Sequence, residues 1–452
     1  TRVINKNIKH LKGVRPLENN KWSNKIIILT LCSLCLVFIV LLVGKNQYIY
    51  REVEAVNKKV EIESKEQTFE IWTINGGLEN ILKEVLEDCK KEYPDIKFVL
   101  KSFKTEVYNE ALLNAAATNA LPDMFYTWGD RGLEELVKLD LVKDLTLTIK
   151  ANDLESRMVD NALRSYTFKE KKYGLPVFGW DTVLYCNQEL FEKSHLNYPT
   201  NYGDFLKTVE IFKSKGITPL AISGNEAWMS SLYYMSLTLS EGSVGVSTEI
   251  AKNNIFFKRR PFIRAAGLFK ELIDLEPWQE GYENMSSAEC VYNFTRGEAA
   301  MMINGSWAST TIDDASRSIV SGKVKVMPFP ITKIKLIDEG VAGYSDGFVL
   351  SRNSSLGEAD VESFYVKVMK AISDKAVLEK GMGIPVYKTQ DLKKTSFKTL
   401  KACDNLFPKN YYHGAYDKLL SSEAAEKYNV AILDFLTGKI DEETFSNEIT
   451  KR

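Results

Sequence analysis

The chain has 452 residues, which is enough for two or three domains, and 44% of them are hydrophobic, as in proteins with a buried core. Basic and acidic residues nearly balance, and no dense basic block occurs outside the extreme N-terminus, so nucleic acid is not an expected partner. Six cysteines and three histidines are scattered without metal-ligand spacing, which argues against a metal site and a histidine-dependent nucleophile.

The N-terminal segment predicts a membrane anchor. Residues 1–25 carry seven basic residues and one acid, which predicts a cytoplasmic tail. Residues 26–43 are apolar and uncharged, and at about 1.5 Å per residue this run spans about 27 Å, close to the apolar thickness of a bilayer. Cys32 and Cys35 both follow leucine, and no small-x-small cleavage site occurs near residue 44, which favours an uncleaved anchor at 26–44 over a cleaved secretion signal.

Residues 45–67 are polar and charged and are predicted to be a linker on the outer side of the membrane. Strands and helices alternate from residue 69 onward. The predicted elements are a strand at 69–72, a helix at 78–89, a strand at 96–100, a helix at 108–117 and a strand at 124–126. This order predicts an α/β fold with a parallel sheet and helices on its faces.

The run at 173–187 has no helical period and is predicted to be a long strand that leaves one lobe and enters another. Further predicted elements are helices at 205–212, 228–239, 262–273 and 358–373, and strands at 217–222, 324–330 and 343–350. The strand at 324–330 is predicted to return to the first lobe.

The segment 294–307 ends in a tryptophan just beyond a predicted strand. Gly297 is predicted to end a helix, residues 299–303 form an apolar run of strand length, and Asn304 and Gly305 are predicted to form a turn. Trp307 then follows the carboxyl end of the strand, where ligands bind in open α/β sheets. The alternative is an ordinary connection with a core tryptophan.

The segment 121–131 is a second candidate, because its predicted strand is followed by Trp128, Asp130 and Arg131. A carboxylate accepts several hydrogen bonds, and a guanidinium donates several. The alternative is that Asp130 caps the next helix and that Arg131 lies in its solvated first turn.

Both segments resemble a known family. The spacing F-x-x-G-x-A-A-M-x-x-x-G-x-W of residues 294–307 resembles a segment of the extracellular solute-binding proteins of bacterial sugar ABC importers, the maltose-binding protein family. The spacing P-D-x-x-x-x-x-x-D-R of residues 122–131 resembles a second segment of that family. The resemblance covers roughly residues 68–440.

The resemblance implies a two-lobed periplasmic-binding-protein-like fold of type 2, in which each lobe is a mostly parallel sheet flanked by helices. The first lobe would comprise residues 68–178 and about 331–375. The second lobe would comprise residues 179–330 and about 376–452.

The resemblance also implies that Trp307 stacks on a sugar ring and that Asp130 and Arg131 bind sugar hydroxyls. Further ligand-binding candidates near strand ends are Trp72, Asn75, Trp128, Trp180, Asp181, Glu226, Trp228, Tyr344 and Asp346. Sugar rings present apolar C–H faces that suit indoles, and their hydroxyls need charged or amide partners. For Glu226 and Trp228 the alternative is an exposed acid at the helix N-terminus and a core tryptophan.

The implied function is an extracellular binding protein, monomeric in its ligand-binding part, that delivers a mono- or oligosaccharide to the transmembrane subunits of an ABC permease. A membrane-tethered receptor subunit that reports ligand to a sensor is the alternative. A glycosidase that uses Asp130 and Glu226 as a carboxylate pair is a third interpretation. No nucleophile motif, metal cluster or phosphate-binding loop supports catalysis, so we expect no catalytic residue, metal or cofactor.

Overall fold

The computed structural model describes residues 67–242, 250, 257–330, 340–406 and 413–450. The predicted cytoplasmic tail and anchor, and the linker up to residue 66, lie outside the described residues. Among the residues that are described, no helix is long and apolar enough to cross a bilayer.

Strands and helices alternate along the described chain. The strands are β1 (Gln67–Ile74), β2 (Ile96–Phe103), β3 (Met124–Thr127), β4 (Thr167–Phe168), β5 (Lys171–Lys172), β6 (Gly174–Asn187), β7 (Thr218–Ala221), β8 (Ala299–Gly305), β9 (Val324–Met327) and β10 (Ala342–Leu350).

The α-helices are α1 (Gly77–Glu92), α2 (Thr105–Ala117), α3 (Asp130–Lys138), α4 (Thr146–Ala151), α5 (Leu154–Arg157), α6 (Gln188–Ser194), α7 (Tyr202–Ser214), α8 (Ala227–Ser240), α9 (Arg260–Asp274), α10 (Ser287–Thr295), α11 (Ser309–Ile312), α12 (Glu358–Asp374), α13 (Lys398–Asp404), α14 (Tyr416–Leu419), α15 (Ser422–Leu436) and α16 (Glu442–Glu448). Short 3₁₀ turns occur at Arg164–Tyr166, Tyr282–Asn284, Ser306–Ala308 and Leu392–Lys394, and a π-helical turn at Lys375–Glu379.

The sheet is mixed rather than mostly parallel, which corrects the sequence expectation. Its strand order is β2-β1-β3-β10-β6-β8-β7, with β9 also paired to β6. β1 runs parallel to β2 and β3, and β7 runs parallel to β8. The pairs of β10 with β3 and β6, and of β6 with β8 and β9, are antiparallel. Local alternation predicts parallel neighbours within a βαβ unit, but it carries no information on the direction of strands that join from distant parts of the chain.

β6 connects the two lobes, as its unbroken extended pattern predicts. Its first half, Gly174 to Asp181, pairs with β10, and its second half pairs with β8 from Thr182 onward. All fourteen of its residues are buried. β9 pairs with β6 at Leu184 to Asn187 in the second lobe, so the predicted return of this strand to the first lobe is wrong.

Two main hydrophobic cores define the lobes. The first core extends from Phe69 to Phe178 and from Tyr344 to Leu400, and the second extends from Trp180 to Val341 and from Tyr416 to Ile449. The chain therefore passes between the cores near Gly179, near Gly343 and after Leu400. The boundary expected near residue 375 falls inside the first core, because Ala376, Val377 and Leu400 pack within it.

Candidate functional site

Trp307 lies at the end of β8, in the 3₁₀ turn Ser306–Ala308. The predicted turn at Asn304 and Gly305 is wrong, because both residues lie within β8 and pair with Val183 and Thr182 of β6. Gly305 has an extended backbone, with φ −78°. A Cβ at Gly305 would lie 2.2 Å from the Trp307 ring, so the glycine makes room for the indole.

Three predicted tryptophans form one cluster in the second lobe. The Trp307 ring centroid lies 5.6 Å from that of Trp228 and 5.9 Å from that of Trp180, at interplanar angles of 66° and 65°. Edge-to-face packing of this kind is favourable for aromatic pairs. Trp180 is buried, whereas Trp228 and Trp307 are half-buried. These three residues belong to separate predicted elements of the sequence, and the fold brings their rings together.

Glu226 precedes α8 and is bonded to two different elements. Its Oε2 accepts a hydrogen bond from Trp228 Nε1 at 2.8 Å. Its Oε1 accepts one from the backbone N–H of Ser287, the first residue of α10, at 2.6 Å. A carboxylate at a helix N-terminus satisfies a backbone donor that has no intrahelical partner. Glu226 therefore contacts the indole cluster through Trp228.

A series of hydrogen bonds, here called the polar relay, joins Trp180 of this cluster to Tyr126 of the first lobe through residues of β10. Trp180 Nε1 donates to Ser345 Oγ at 3.0 Å, and Ser345 Oγ donates to Asp346 Oδ2 at 3.2 Å. The hydroxyl of Tyr126 donates to Asp346 Oδ1 at 2.5 Å. Burial raises the pKa of Asp346 to about 6, against the opposing effects of these hydrogen bonds and of the Lys418 charge.

In the first lobe, the Trp128 ring packs against Tyr126, the last residue of this hydrogen-bonded series. Its ring centroid lies 5.0 Å from that of Tyr126 and 5.9 Å from that of Tyr108. The Lys418 ammonium lies 4.3 Å from the Trp128 centroid and 2.8 Å from Asp417 Oδ2. A sugar that stacked on the ring face covered by Lys418 would have to displace the ammonium group.

Asp130 and Arg131 begin α3, and the residue at the N-cap position of this helix is Gly129. Asp130 has a left-handed backbone, with φ 48°, and its Oδ2 accepts a hydrogen bond from Ser165 Oγ at 3.1 Å. Arg131 forms an ion pair with Glu134 of the same helix at 2.5 Å, and both side chains are half-buried. Gly129 thus occupies the N-cap position that the alternative gave to Asp130, and Arg131 lies in the first turn of α3, half-buried rather than fully solvated.

Asp181 and Tyr344 lie at the crossing between the lobes. The Asp181 backbone N–H donates to Ser306 Oγ at 3.2 Å, beside Trp307. The Tyr344 ring packs against Gly179, where a Cβ would lie 2.4 Å from the ring. Burial and the nearby Asp181 carboxylate raise the pKa of Tyr344. Both residues border the indole cluster, but their side chains are almost wholly buried.

Trp72 and Asn75 belong to a different part of the first lobe. Trp72 Nε1 donates to Glu70 Oε1 at 2.5 Å, its ring centroid lies 4.8 Å from that of Phe103, and the Lys101 ammonium lies 5.7 Å from it. Asn75 is exposed, and its backbone N–H donates to the Phe103 carbonyl at 2.8 Å. These contacts of Trp72 and Asn75 are to Glu70 on β1 and to Lys101 and Phe103 on β2, whereas the cluster around Trp307 lies in the second lobe.

Three residues in or beside the polar relay were missed by the sequence interpretation. Ser345 stands between the predicted residues Tyr344 and Asp346, and this position was an available signal. Tyr126 and Lys418 gave no such signal, because only packing brings them to Asp346 and Trp128. In the described part of the chain, no group of three His, Cys, Asp or Glu side chains could hold a metal ion.

Comparisons with known proteins show the family and the fold of the chain. The model of the family described as bacterial extracellular solute-binding protein matches residues 75–365, which is more than half of the chain. The multiple sugar-binding protein of Streptococcus mutans is 25% identical over 269 residues, which are 57% of this chain and 62% of that protein. The chain thus spans about 62% of the length of this curated relative.

Two solved structures share the fold. A protein from a study of xylan utilization by the thermophilic bacterium Caldanaerobius polysaccharolyticus has a TM-score of 0.77 at 24% identity, over 85% of this chain and 99% of that one. A chitin oligosaccharide binding protein has a TM-score of 0.75 at 22% identity, over 85% of this chain and 97% of that one. At these identities the likeness shows the two-lobed α/β fold.

Proposed function

Because the chain belongs to the bacterial extracellular solute-binding protein family, we propose that it binds a mono- or oligosaccharide outside the cell and delivers it to the transmembrane subunits of an ABC permease. The observation that carries this proposal is the cluster of Trp180, Trp228 and Trp307, with Trp307 packed between the other two rings. The exposed parts of Trp228 and Trp307 supply apolar faces for a sugar ring.

Hinge closure is the proposed binding motion. The chain crosses between the two cores near Gly179, near Gly343 and after Leu400, and such connecting segments can absorb the change in backbone angles. Ligand affinity then depends on the difference between the contacts made in the closed and open forms. We also propose that the other predicted residues contact the ligand, namely Trp72, Asn75, Trp128, Asp130, Arg131, Asp181, Tyr344 and Asp346.

A binding role suits Glu226 better than catalysis. A glycosidase carboxylate has to protonate a leaving group or attack a sugar carbon. Both oxygens of Glu226 are instead bonded to Trp228 and Ser287. We therefore assign Glu226 no catalytic role, which leaves Asp130 without the second carboxylate that a glycosidase requires. The proposed protein needs no cofactor.

The predicted uncleaved apolar segment at 26–44 supports tethering of the binding part to the cell membrane, with residues 45–67 as the linker. The same segment favours a second candidate function, in which the protein is a tethered receptor subunit that reports a bound sugar to a sensor. In both functions the ligand-binding part acts as a monomer on the outer side of the membrane.

A thermal-shift screen tests the sugar-binding proposal. The full chain, in a detergent without a sugar headgroup, is heated with maltotriose, xylotriose, arabinotriose, chitotriose or raffinose. A sugar that binds only the folded state raises Tm, and at 100 times Kd it stabilises the protein by about 2.7 kcal/mol. We expect at least one sugar to raise Tm and quench tryptophan fluorescence without being cleaved. Shifts only with peptides or polyamines would refute the proposed ligand class, and turnover would indicate an enzyme.

A further inference from the structure

The two contacts of Glu226 connect segments that are distant in the sequence. One oxygen holds the indole N–H of Trp228 on α8, and the other holds the first backbone N–H of α10. The Glu226 backbone N–H donates to Ser223 Oγ at 3.1 Å, and Ser223 Oγ donates to the Met285 carbonyl at 2.7 Å. The start of α8 and the start of α10 are therefore joined by hydrogen bonds from both the side chain and the backbone of Glu226.

The segments that Glu226 joins both lead to Trp307. Helix α10 leads through Gly297 into β8, and β8 leads to Trp307. Trp307 packs edge-to-face on Trp228, with the ring centroids 5.6 Å apart. Glu226 thus holds the beginning of the α10–β8 segment, while Trp228 contacts its end. The indole N–H of the same Trp228 ring is bonded to Glu226.

We infer that Glu226 is a positioning residue, which acts on the ligand by orienting Trp228 and not by contacting a sugar hydroxyl. The inference rests on the proposed function, because it concerns the same indole cluster. It also changes the role predicted from the sequence, where Glu226 is a direct ligand contact. An indole held by a carboxylate presents a fixed ring face to the ligand, and fixing a binding group in advance reduces the entropy lost on association.

A double-mutant cycle separates the two roles. Glu226→Gln replaces one acceptor oxygen by an amide N–H group, so the pair of bonds to Trp228 and Ser287 cannot persist unchanged. Trp228→Phe keeps a ring but removes the N–H that Glu226 holds. Affinities of the full-length wild type, both single variants and the double variant are measured with xylotriose, chitotriose and raffinose in turn.

The expected result is non-additive. Glu226→Gln weakens binding by about tenfold in the wild-type background, as expected for loss of a hydrogen bond to a charged group. In the Trp228→Phe background the same change alters affinity by less than about twofold, because the bond is already absent. If Glu226→Gln weakens binding by about tenfold in the Trp228→Phe background as well, Glu226 contacts the sugar directly and the inference is overturned. The inference is also overturned if Glu226→Gln alone keeps wild-type affinity.

A second measurement needs no ligand. The indole N–H resonance of Trp228 is identified in ¹⁵N-tryptophan-labelled protein by its absence from Trp228→Phe. It should move upfield in Glu226→Gln, because a carboxylate partner is lost. Glu289→Gln is the matched control, since Glu289 also accepts a backbone N–H at the start of α10, from Ser286 at 2.8 Å, but does not bond Trp228.

The control should lower Tm while leaving the affinity and the Trp228 resonance unchanged. If Glu289→Gln weakens sugar binding as much as Glu226→Gln does, the loss of affinity comes from removing a hydrogen bond at the start of α10, and the inference fails. If the wild type binds none of the three sugars, the proposed function fails for these ligands. The position of the Trp228 resonance then decides whether Glu226 orients the indole, and an unmoved resonance refutes that orientation.

Discussion

The ammonium group of Lys418 lies 4.3 Å from the ring centroid of Trp128 and joins the two lobes. Trp128 packs against the first core, whereas Tyr416 and Leu419, on the same helix as Lys418, belong to the second. Ser422 Oγ donates to Glu135 Oε2 at 2.7 Å, a second contact from the C-terminal segment to α3. The helix that begins with Asp130 is therefore held by residues of both lobes.

Replacing Lys418 tests the strength of this contact. Lys418→Gln should lower the free energy of unfolding by about 0.5–2 kcal/mol, the range for a cation on an aromatic face. It should also make tryptophan fluorescence more accessible to acrylamide. Lys427→Gln is the control, because it removes the same charge from an exposed ion pair with Glu423, and such pairs contribute little. Equal Tm values for the two variants would show that Lys418 does not stabilise the lobe contact.

Gly305→Ala should displace the Trp307 ring. The new Cβ would lie 2.2 Å from that ring, so the indole has to move away from Trp180 and Trp228. We expect about 1–3 kcal/mol of destabilisation from overpacking and a loss of sugar binding of about tenfold or more. Gly132→Ala, on α3 with no atom within 4 Å of the added Cβ, should instead be neutral or slightly stabilising. Retained sugar affinity in Gly305→Ala would remove Trp307 from the site.

Trp307→Ala removes the whole indole. Because Trp307 is only half-buried, this change should abolish most sugar binding while the protein still unfolds cooperatively. Isothermal titration with the best sugar of the thermal-shift screen and a melting curve measure the two effects separately. A collapse of Tm together with binding would instead assign Trp307 to the core.

Asp130→Asn distinguishes ligand binding from a structural role. Asparagine tolerates the left-handed backbone at this position and still accepts the Ser165 hydroxyl bond, so Tm should change little. If the carboxylate binds sugar hydroxyls, affinity should fall by about tenfold, because hydrogen bonds to charged groups are the stronger ones. Ser165→Ala removes only the internal bond and should preserve affinity. Equal affinity in Asp130→Asn and wild type would leave Asp130 with a structural role alone.

The raised pKa of Asp346 predicts a specific pH dependence. Between its ordinary pKa of 3.8 and about 6, the folded state keeps a proton that the unfolded state releases. The contribution of this carboxyl to stability is therefore greatest below pH 4 and is lost as the pH rises through 6. Asp346→Asn lacks the charge, so its Tm relative to wild type should improve between pH 4 and pH 7. Each unit of pKa shift corresponds to about 1.4 kcal/mol.

Asp314→Asn should show the opposite trend. Hydrogen bonds from Ser316 and Arg317 lower the pKa of Asp314, so its contribution is present above pH 3.8 and is lost as the pH falls. Melting curves of both variants and wild type at pH 2, 3, 4, 5, 6 and 7 give the comparison, since Asp314 acts below pH 4 and Asp346 acts between pH 4 and pH 7. Parallel profiles for Asp346→Asn and wild type would show that Asp346 titrates normally.

Much of the fold and part of the site follow from local sequence. The period of apolar residues in 78–89 predicts α1, whose Leu78, Ile81, Leu82, Val85 and Leu86 are buried. The unbroken run at 173–187 predicts the strand that joins the lobes. The spacing of residues 294–307 resembles that of the family whose model matches residues 75–365. These features depend on residues that are neighbours along the chain, so they can be read without a structure.

The tertiary structure alone decided the strand directions and the partners of the site residues. β10 and β9 join β6 from distant parts of the chain, and the direction of such strands has no local signature. The sequence predicts a turn at Gly305, but in the fold Gly305 lies in β8, and its missing side chain leaves space for the Trp307 ring. Glu226 bonds Ser287, and Lys418 covers Trp128, only because packing of the two cores brings these residues together. Sequence spacing encodes the elements, whereas contacts between distant side chains arise from how those elements bury their apolar faces.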